Sequence, residues 1–218
     1  VSPRAHPYYP AFLDLEGRLA VVVGSGSLAE RRVRTLLRHG ADIAVVAPEP
    51  GEALRGLEAE GRITLEVRGY VRGDLEDAFL AVCASGSQEV DRAVRDEAEE
   101  RRCLVNVAGA PDLSSFVIPS VVRRGDLQIA VSTGGGAPAL AKRVRRRLDE
   151  EYGPAWAAYV ALAGEVRSLA FTRLGEDRAA AILEAVADSD LLDRIEAGGE
   201  PSAEEVLAEF EGEGVENA

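Results

Sequence analysis

The segment that most restricts the fold is residues 19–40, LAVVVGSGSLAERRVRTLLRHG. Leu19 to Val23 are apolar without alternation, as in a strand buried on both faces of a parallel sheet. GSGSLA follows, and then apolar residues at Leu28, Val33, Leu36 and Leu37 mark one face of a helix. That helix is expected to stop at Gly40, a left-handed cap after His39. Strand, glycine turn and helix in direct succession begin a parallel βαβ unit, which needs further strands and crossover helices to complete a sheet.

The chain supplies them. ADIAVVAP reads as a second strand, EALRGLEAEG as a short helix and ITLEVRGY as a third strand. AFLAVCAS is a fourth strand, QEVDRAVRDEAEERR a helix and CLVNVAG a fifth strand. The fold class is therefore α/β, a Rossmann-type doubly wound parallel sheet, over residues 1–112. After Ala110 the rhythm changes. SFVIPSVVRRGDLQIAVST predicts two antiparallel strands turning at Arg124 to Asp126, within a small strand-containing region over 113–148. GGGAP opens the helix ALAKRVRRRLDEEYG, and a helical domain is expected over 149–200. The last segment, 201–218, belongs to a stretch with eight Glu and no Lys or Arg from residue 196 on, and reads as a flexible acidic tail.

GSGSLA fits G-x-G-x-x-A, and its setting between strand and helix gives the pattern its meaning. Gly24 permits the tight turn, Gly26 lets the backbone approach a pyrophosphate, and Ala29 lets helix and strand pack closely. The first amides of the helix would face the phosphates. An acidic residue arrives late after the second strand, at Glu49, where it either meets ribose hydroxyls or interacts with the dipole of the next helix. No Arg or Lys follows closely to receive a 2′-phosphate, so NAD is preferred over NADP. A second glycine cluster, STGGGAP from Ser132 to Pro138, reads either as a turn or as an anion cradle.

Composition excludes other classes. The formal net charge of −13 argues against a nucleic-acid binder. No run approaches the roughly 18 apolar residues of a membrane span, and no leader is expected. The two cysteines, Cys83 and Cys103, lie in apolar runs and read as buried thiols, which suits a cytoplasmic protein. Lys142 to Arg147 form a basic exception, either a solvated helix face or an anion-binding rim. His39 is expected to cap helix carbonyls, no metal-ligand spacing is present, and neither a Ser-His-Asp set nor a G-x-S-x-G elbow can be assembled.

Together these segments resemble the precorrin-2 dehydrogenases, which include the N-terminal half of siroheme synthase and the related dehydrogenase-ferrochelatases. The likeness runs over roughly residues 8 to 165, through YPAFLDLEGRLAVVVGSGSLAERRVRTLL, VVAPE, LVNVAGAP, SSFVIPSVV and LQIAVSTGGGAPALAKRVRRRL. It implies an NAD-binding domain, a dimerisation region over 113–148 that makes a homodimer, and a helical domain. It also implies a reaction in which the tetrapyrrole precorrin-2 loses hydride to NAD and becomes sirohydrochlorin, after which some members insert ferrous iron.

Carried over, NAD contacts fall on Gly24, Gly26, Ser27, Leu28, Ala29, Pro48, Glu49, Ala84, Ser85 and Asn106. Tetrapyrrole contacts fall on Ser120, Ser132, Thr133, Gly134, Gly135 and Lys142. The family's Asn-Val-x-Asp, whose aspartate is regarded as the catalytic and metal-site carboxylate, is here Asn106-Val107-Ala108-Gly109. Asp112 is the candidate substitute, and otherwise a turn or cap residue. Ferrochelation is therefore expected to be weak or absent. The alternative is a degenerate member that binds NAD or tetrapyrrole as a carrier, sensor or partner of a haem-pathway enzyme. With no methyltransferase segment in the chain, uroporphyrinogen methylation is expected of another chain.

Overall fold

The computed structural model describes residues 8–212. Two compact units divide the chain: Ile118 ends the main run of the first, which also takes in Gly134–Gly136, and the second holds Pro119–Thr133 and the chain from Ala137 on.

In the first unit β1 (Leu19–Val23), α1 (Ser27–Leu37), β2 (Asp42–Val46), α2 (Glu52–Ala59), β3 (Thr64–Glu66), β4 (Leu80–Cys83), α3 (Gln88–Arg101) and β5 (Leu104–Val107) follow in sequence. The five strands are parallel in the order β3-β2-β1-β4-β5. Alternate residues of each strand feed two cores. Ala20, Val22, Ile43, Val45, Leu80 and Val82 pack with Ala29, Val33 and Leu36 of α1. Val21, Val23, Val46, Ala81, Cys83 and Val105 pack with Val94 and Ala98 of α3. Both faces of the sheet are covered, which is why its strands carry unbroken apolar runs. Gly40 adopts φ +75° after α1, and His39 Nδ1 lies 2.7 Å from the Thr35 carbonyl, so both perform the helix-ending roles expected of them.

Two devices tie the edges of this unit. The 3-10 turn Pro111–Leu113 leads into Ser114 and Ser115, whose hydroxyls accept the Val107 and Val105 amides of β5 at 2.9 and 2.8 Å. The Ser115 amide donates to the Val105 carbonyl at 2.8 Å, so a serine pair closes the strand edge that no sixth strand covers. On the opposite side of α3, the buried Glu97 accepts from Tyr70 Oη at 2.5 Å, the Gly73 amide at 3.0 Å and Arg101 Nε at 2.6 Å. Burial acts to raise its pKa, but these donors more than reverse that and hold the carboxyl below the usual glutamate range. The loop between β3 and β4 is thereby pinned to α3, with Asp74 gripped by Arg68 at 2.7 and 2.8 Å.

The second unit holds the antiparallel pair β6 (Ser120–Arg124) and β7 (Leu127–Val131), then α4 (Pro138–Glu151), α5 (Ala155–Leu174), α6 (Glu176–Ala187), α7 (Leu191–Glu196) and α8 (Ala203–Gly212). The turn falls at Gly125 and Asp126, with Gly125 at φ +56°. Leu162, Val166, Ala170, Ile182, Val186 and Leu191 of α5 to α7 form its core.

α8 corrects the expectation of a flexible tail over 201–218. Val206 and Leu207 are fully buried in that helical core. Ser202 and Glu205 make a reciprocal capping box, with the Glu205 amide donating to Ser202 Oγ at 3.3 Å and the Ser202 amide to Glu205 Oε2 at 2.8 Å. The acidity of the helix is met by earlier helices, since Arg173 grips Glu204 at 2.7 and 2.5 Å and Arg194 grips Glu209 at 2.9 Å. Residues 213–218 lie outside the described residues.

Candidate functional site

The strand register sets the site. Val46, Val23, Cys83 and Val107 are neighbours across β2, β1, β4 and β5, so these four strands end on one level. The backbone pairing continues one residue further: the Gly24 amide donates to the Val46 carbonyl at 2.9 Å, Ala84 to Val23 at 2.8 Å, and Ala108 to Cys83 at 2.8 Å. Pro48 and Glu49, Gly24 to Ala29, Ala84 to Ser87, and Ala108 and Gly109 thus follow adjacent strand ends along one carboxyl edge, with Asn106 inside the end of β5. The strand order reverses between β1 and β4, and ligands of open α/β sheets bind at such a crevice.

The two turn glycines have different causes. Gly24 has φ +129°, and a Cβ there would lie 2.3 Å from the Ala84 carbonyl oxygen, so the fold itself demands glycine. Gly26 has extended backbone, φ −77° and ψ 171°, that any residue adopts, and a Cβ there would meet no protein atom within 4 Å. Nothing in the protein requires glycine at 26, and its lack of a side chain leaves the space at the start of α1 open. Gly26 is the N-cap of α1 and supplies no side chain to its first amides, which leaves Ser27 and Leu28 to present N–H groups outward. Ala29 is fully buried beneath the turn. These features fit the pyrophosphate of a dinucleotide.

Pro48 and Glu49 are exposed in the linker after β2. The N-cap of α2 is Gly51 and its first-turn acid is Glu52, so Glu49 stands outside that helix. A residue that sequence reading passed over enters here: Glu30 Oε1 lies 2.9 Å from where a Cβ on Gly51 would be, placing a second carboxylate beside the start of α2. In the β4–α3 turn, Ser85 is half-buried and its hydroxyl donates to Asp91 at 2.7 Å, while Ser87 is the N-cap of α3. Asp91 was likewise passed over, though Ser-x-Ser before an acid-bearing helix signals such a cap. The Asn106 amide is spent on the Phe116 carbonyl at 3.0 Å, tying β5 to the segment beyond it.

Gly109 is exposed at φ +76°, with no heavy atom within 4 Å of a would-be Cβ. Asp112 is exposed in the 3-10 turn three residues on. Both cysteines are buried, and burial pushes the Cys83 thiol up to about 12 and Cys103 to about 11, which suits inert core thiols. Among the described residues no group of three His, Cys, Asp or Glu could hold a metal, and no helix is long and apolar enough to cross a membrane.

The residues expected on the tetrapyrrole side occupy other places. Gly134 and Gly135 have φ +61° and +85° and form the turn before α4. In the second unit Ser120 is half-buried at the start of β6 and Ser132 is exposed after β7. Thr133 Oγ1 accepts the Ala137 amide at 3.2 Å, steadying the start of α4, and Lys142 is exposed on that helix. Of the basic run, Arg145 is paired with Asp149 at 3.2 Å, whereas Lys142, Arg143, Arg146 and Arg147 are exposed.

Comparison with known proteins agrees with this geometry. Residues 11–120 match the family described as "Putative NAD(P)-binding", and residues 124–151 match "Sirohaem biosynthesis protein central". A siroheme synthase of Methylobacillus flagellatus is 40% identical over 158 residues, 72% of this chain and 34% of that protein. A siroheme synthase of Nitrosococcus oceani is 34% identical over 201 residues, 92% of this chain and 43% of that protein. The chain thus spans less than half the length of these relatives. Among solved structures, SirC, a precorrin-2 dehydrogenase, is 30% identical with a TM-score of 0.77, covering 94% of this chain and 100% of its own. With a nicotinamide-dinucleotide domain in its first half and a match along the full length of SirC, the chain belongs to the family of precorrin-2 dehydrogenases and siroheme synthases.

Proposed function

We propose that this chain dehydrogenates precorrin-2 to sirohydrochlorin in siroheme biosynthesis, with NAD as the hydride acceptor and little or no ferrochelatase activity. The observation that carries the reading is the open cradle at Gly26, joined to a likeness to SirC over nearly the whole chain. When bound, NAD would accept a hydride from a ring carbon of the substrate, becoming NADH, while one proton leaves the substrate. The chain's own residues then have limited tasks. The Ser27 and Leu28 amides bind the pyrophosphate, with Ala29 packed beneath the turn. Glu49 disfavours a 2′-phosphate by charge and so selects NAD over NADP. The turn at Ala84 and Ser85 bounds the cofactor, and Asn106 holds its own segment in place. Ser120, Ser132, Thr133, Gly134, Gly135 and Lys142 serve the carboxylates of the tetrapyrrole, and a homodimer is built on the region over 113–148.

Gly109 offers no carboxyl group, so the proton goes to Asp112 or to water. Hydride transfer tolerates this because alignment supplies much of the rate. Metal insertion tolerates it poorly, since the pyrrole protons and the metal need a nearby base. The same glycine favours a second reading, in which the chain binds dinucleotide or tetrapyrrole without turning it over.

Purified protein with precorrin-2 and NAD separates the two. Sirohydrochlorin and NADH formed in equal amounts at an enzymatic rate support dehydrogenation; binding without turnover supports the second reading. Gly109→Asp is expected to raise the rate about 100-fold, the lower range for a positioned acid or base, and to cost about 1–2 kcal/mol of stability through its left-handed φ. Unchanged turnover in that variant would refute the claim that Gly109 marks a lost proton-transfer group.

A further inference from the structure

We propose that Asp91 is a positioning residue for the dinucleotide, holding the β4–α3 turn in the shape on which the glycine turn closes; this rests on the dinucleotide reading above. Asp91 lies in the first turn of α3, and its Oδ1 accepts from Ser85 Oγ at 2.7 Å and from Cys83 Sγ at 3.2 Å. Because the single Ser85 hydroxyl proton goes to Asp91, its oxygen is free to accept the Ser87 amide at 3.0 Å. The Asp91 amide in turn donates to the Ser87 carbonyl at 2.9 Å. Asp91 therefore holds both ends of the turn, Ser85 by its carboxylate and Ser87 by its amide, with Gly86 at φ +75° between them.

The turn matters because of what it touches. The Ala84 carbonyl oxygen would sit 2.3 Å from a Cβ on Gly24, so the two turns are in backbone contact with no slack. Relaxing Ser85 moves Ala84, and moving Ala84 moves the glycine turn. Asp91 touches neither glycine and acts through Ser85 and the end of β4 at Cys83 and Ala84. A carboxylate side chain in the first turn of a helix is independently favourable there.

The test uses the full chain, with hydrogen exchange on the cofactor-free protein and NAD titration by calorimetry. Asp91→Ala is expected to speed exchange of the Ser87 amide and to raise the NAD dissociation constant about tenfold, as the loss of a hydrogen bond to a charged acceptor would. KM for NAD rises with it, while kcat stays within about twofold. Ser85→Ala reproduces both effects, and the double variant adds little, because the residues act as one unit. Asp91→Asn keeps an acceptor oxygen and restores most of the affinity. Should Asp91→Ala fail to fold, Ser85→Ala makes the same measurements.

An unchanged Ser87 amide, an NAD affinity within twofold of the parent, or a fall in kcat at constant KM would each overturn the assignment. If the parent protein itself binds no NAD, the dinucleotide reading fails, and with it the functional role of Asp91. The exchange measurement would still report separately whether Asp91 holds the turn.

Discussion

Gly24 and Gly26 stand two residues apart in one turn, yet the same substitution is expected to do different things at each. At Gly24 an alanine Cβ would lie 2.3 Å from the Ala84 oxygen and 2.7 Å from its carbon, where ordinary contact begins at 3.4 Å. Either the turn or the β4 end must move by roughly 1 Å within a close-packed core. Overpacking of this kind costs about 1–3 kcal/mol, and a side chain held at φ +129° adds about 1–3 kcal/mol. Gly24→Ala should therefore lose about 2–6 kcal/mol, which at roughly 2–4 °C per kcal/mol is a large shift in the unfolding midpoint. Gly26→Ala meets no protein atom and keeps an extended backbone, so it should lose at most about 1 kcal/mol, the modest N-cap preference for glycine over alanine. Its NAD affinity should instead fall at least tenfold, about 1.4 kcal/mol, because the methyl group occupies the approach to the pyrophosphate. Urea unfolding and calorimetric NAD titration of both variants decide the matter. A Gly26→Ala protein that binds NAD as the parent does would refute the cradle, and a Gly24→Ala protein of parental stability would refute the backbone contact.

Two further outcomes test features of the fold. Leu207→Ala should cost about 2–5 kcal/mol in urea unfolding, the range for emptying a fully buried leucine site; a loss below about 0.5 kcal/mol would mean that the acidic C-terminal helix is not part of the core. Glu97→Gln should cost about 1.5–3 kcal/mol at neutral pH, because Tyr70, Gly73 and Arg101 lose a charged acceptor while Arg101, itself exposed, is solvated by water. The folded-state pKa of Glu97 is depressed, so its stabilisation is fully present above the unfolded value of about 4.3 and is lost as pH falls through the lower folded value. The gap between parent and variant should accordingly narrow on acidification below about pH 4.3, and a gap that stays constant down to pH 2 would show that the carboxylate's charge is not what matters.

What was legible in the fold is what short-range pattern encodes. The run Leu19 to Val23 had to be a doubly buried strand, and the helix after it had to end near Gly40; both follow from period and backbone freedom. The tail was misread because eight glutamates outweighed a local signal. Ser202-x-x-Glu205 before Val206 and Leu207 is a capping box opening an apolar face, and Arg173 and Arg194, 31 and 15 residues earlier, neutralise what net charge made look solvated. Composition averages over a segment, whereas folding depends on which charges meet. Glu97 escaped notice for the same reason: a glutamate in DEAEER reads as solvent-facing until Tyr70 and Gly73 arrive from another loop.

The site divides along the same line. GSGSLA was readable because each of its requirements, strand before, helix after and no side chain between, lies within a dozen residues. Yet its pattern could not say that Gly24 serves the fold and Gly26 the open cradle, since that distinction depends on Ala84, which β4 brings alongside β1. Asp91 is one step more remote. It acts through Ser85 and the end of β4 at Cys83 and Ala84, so no local spacing marks it. Gly109 is the opposite case, marked in sequence solely by what the family resemblance implies and, in structure, an exposed left-handed position with open space where a side chain would stand. A left-handed position tolerates Asp and Asn better than other side chains. The space at 109 is therefore open to an aspartate, at the modest cost of its left-handed φ.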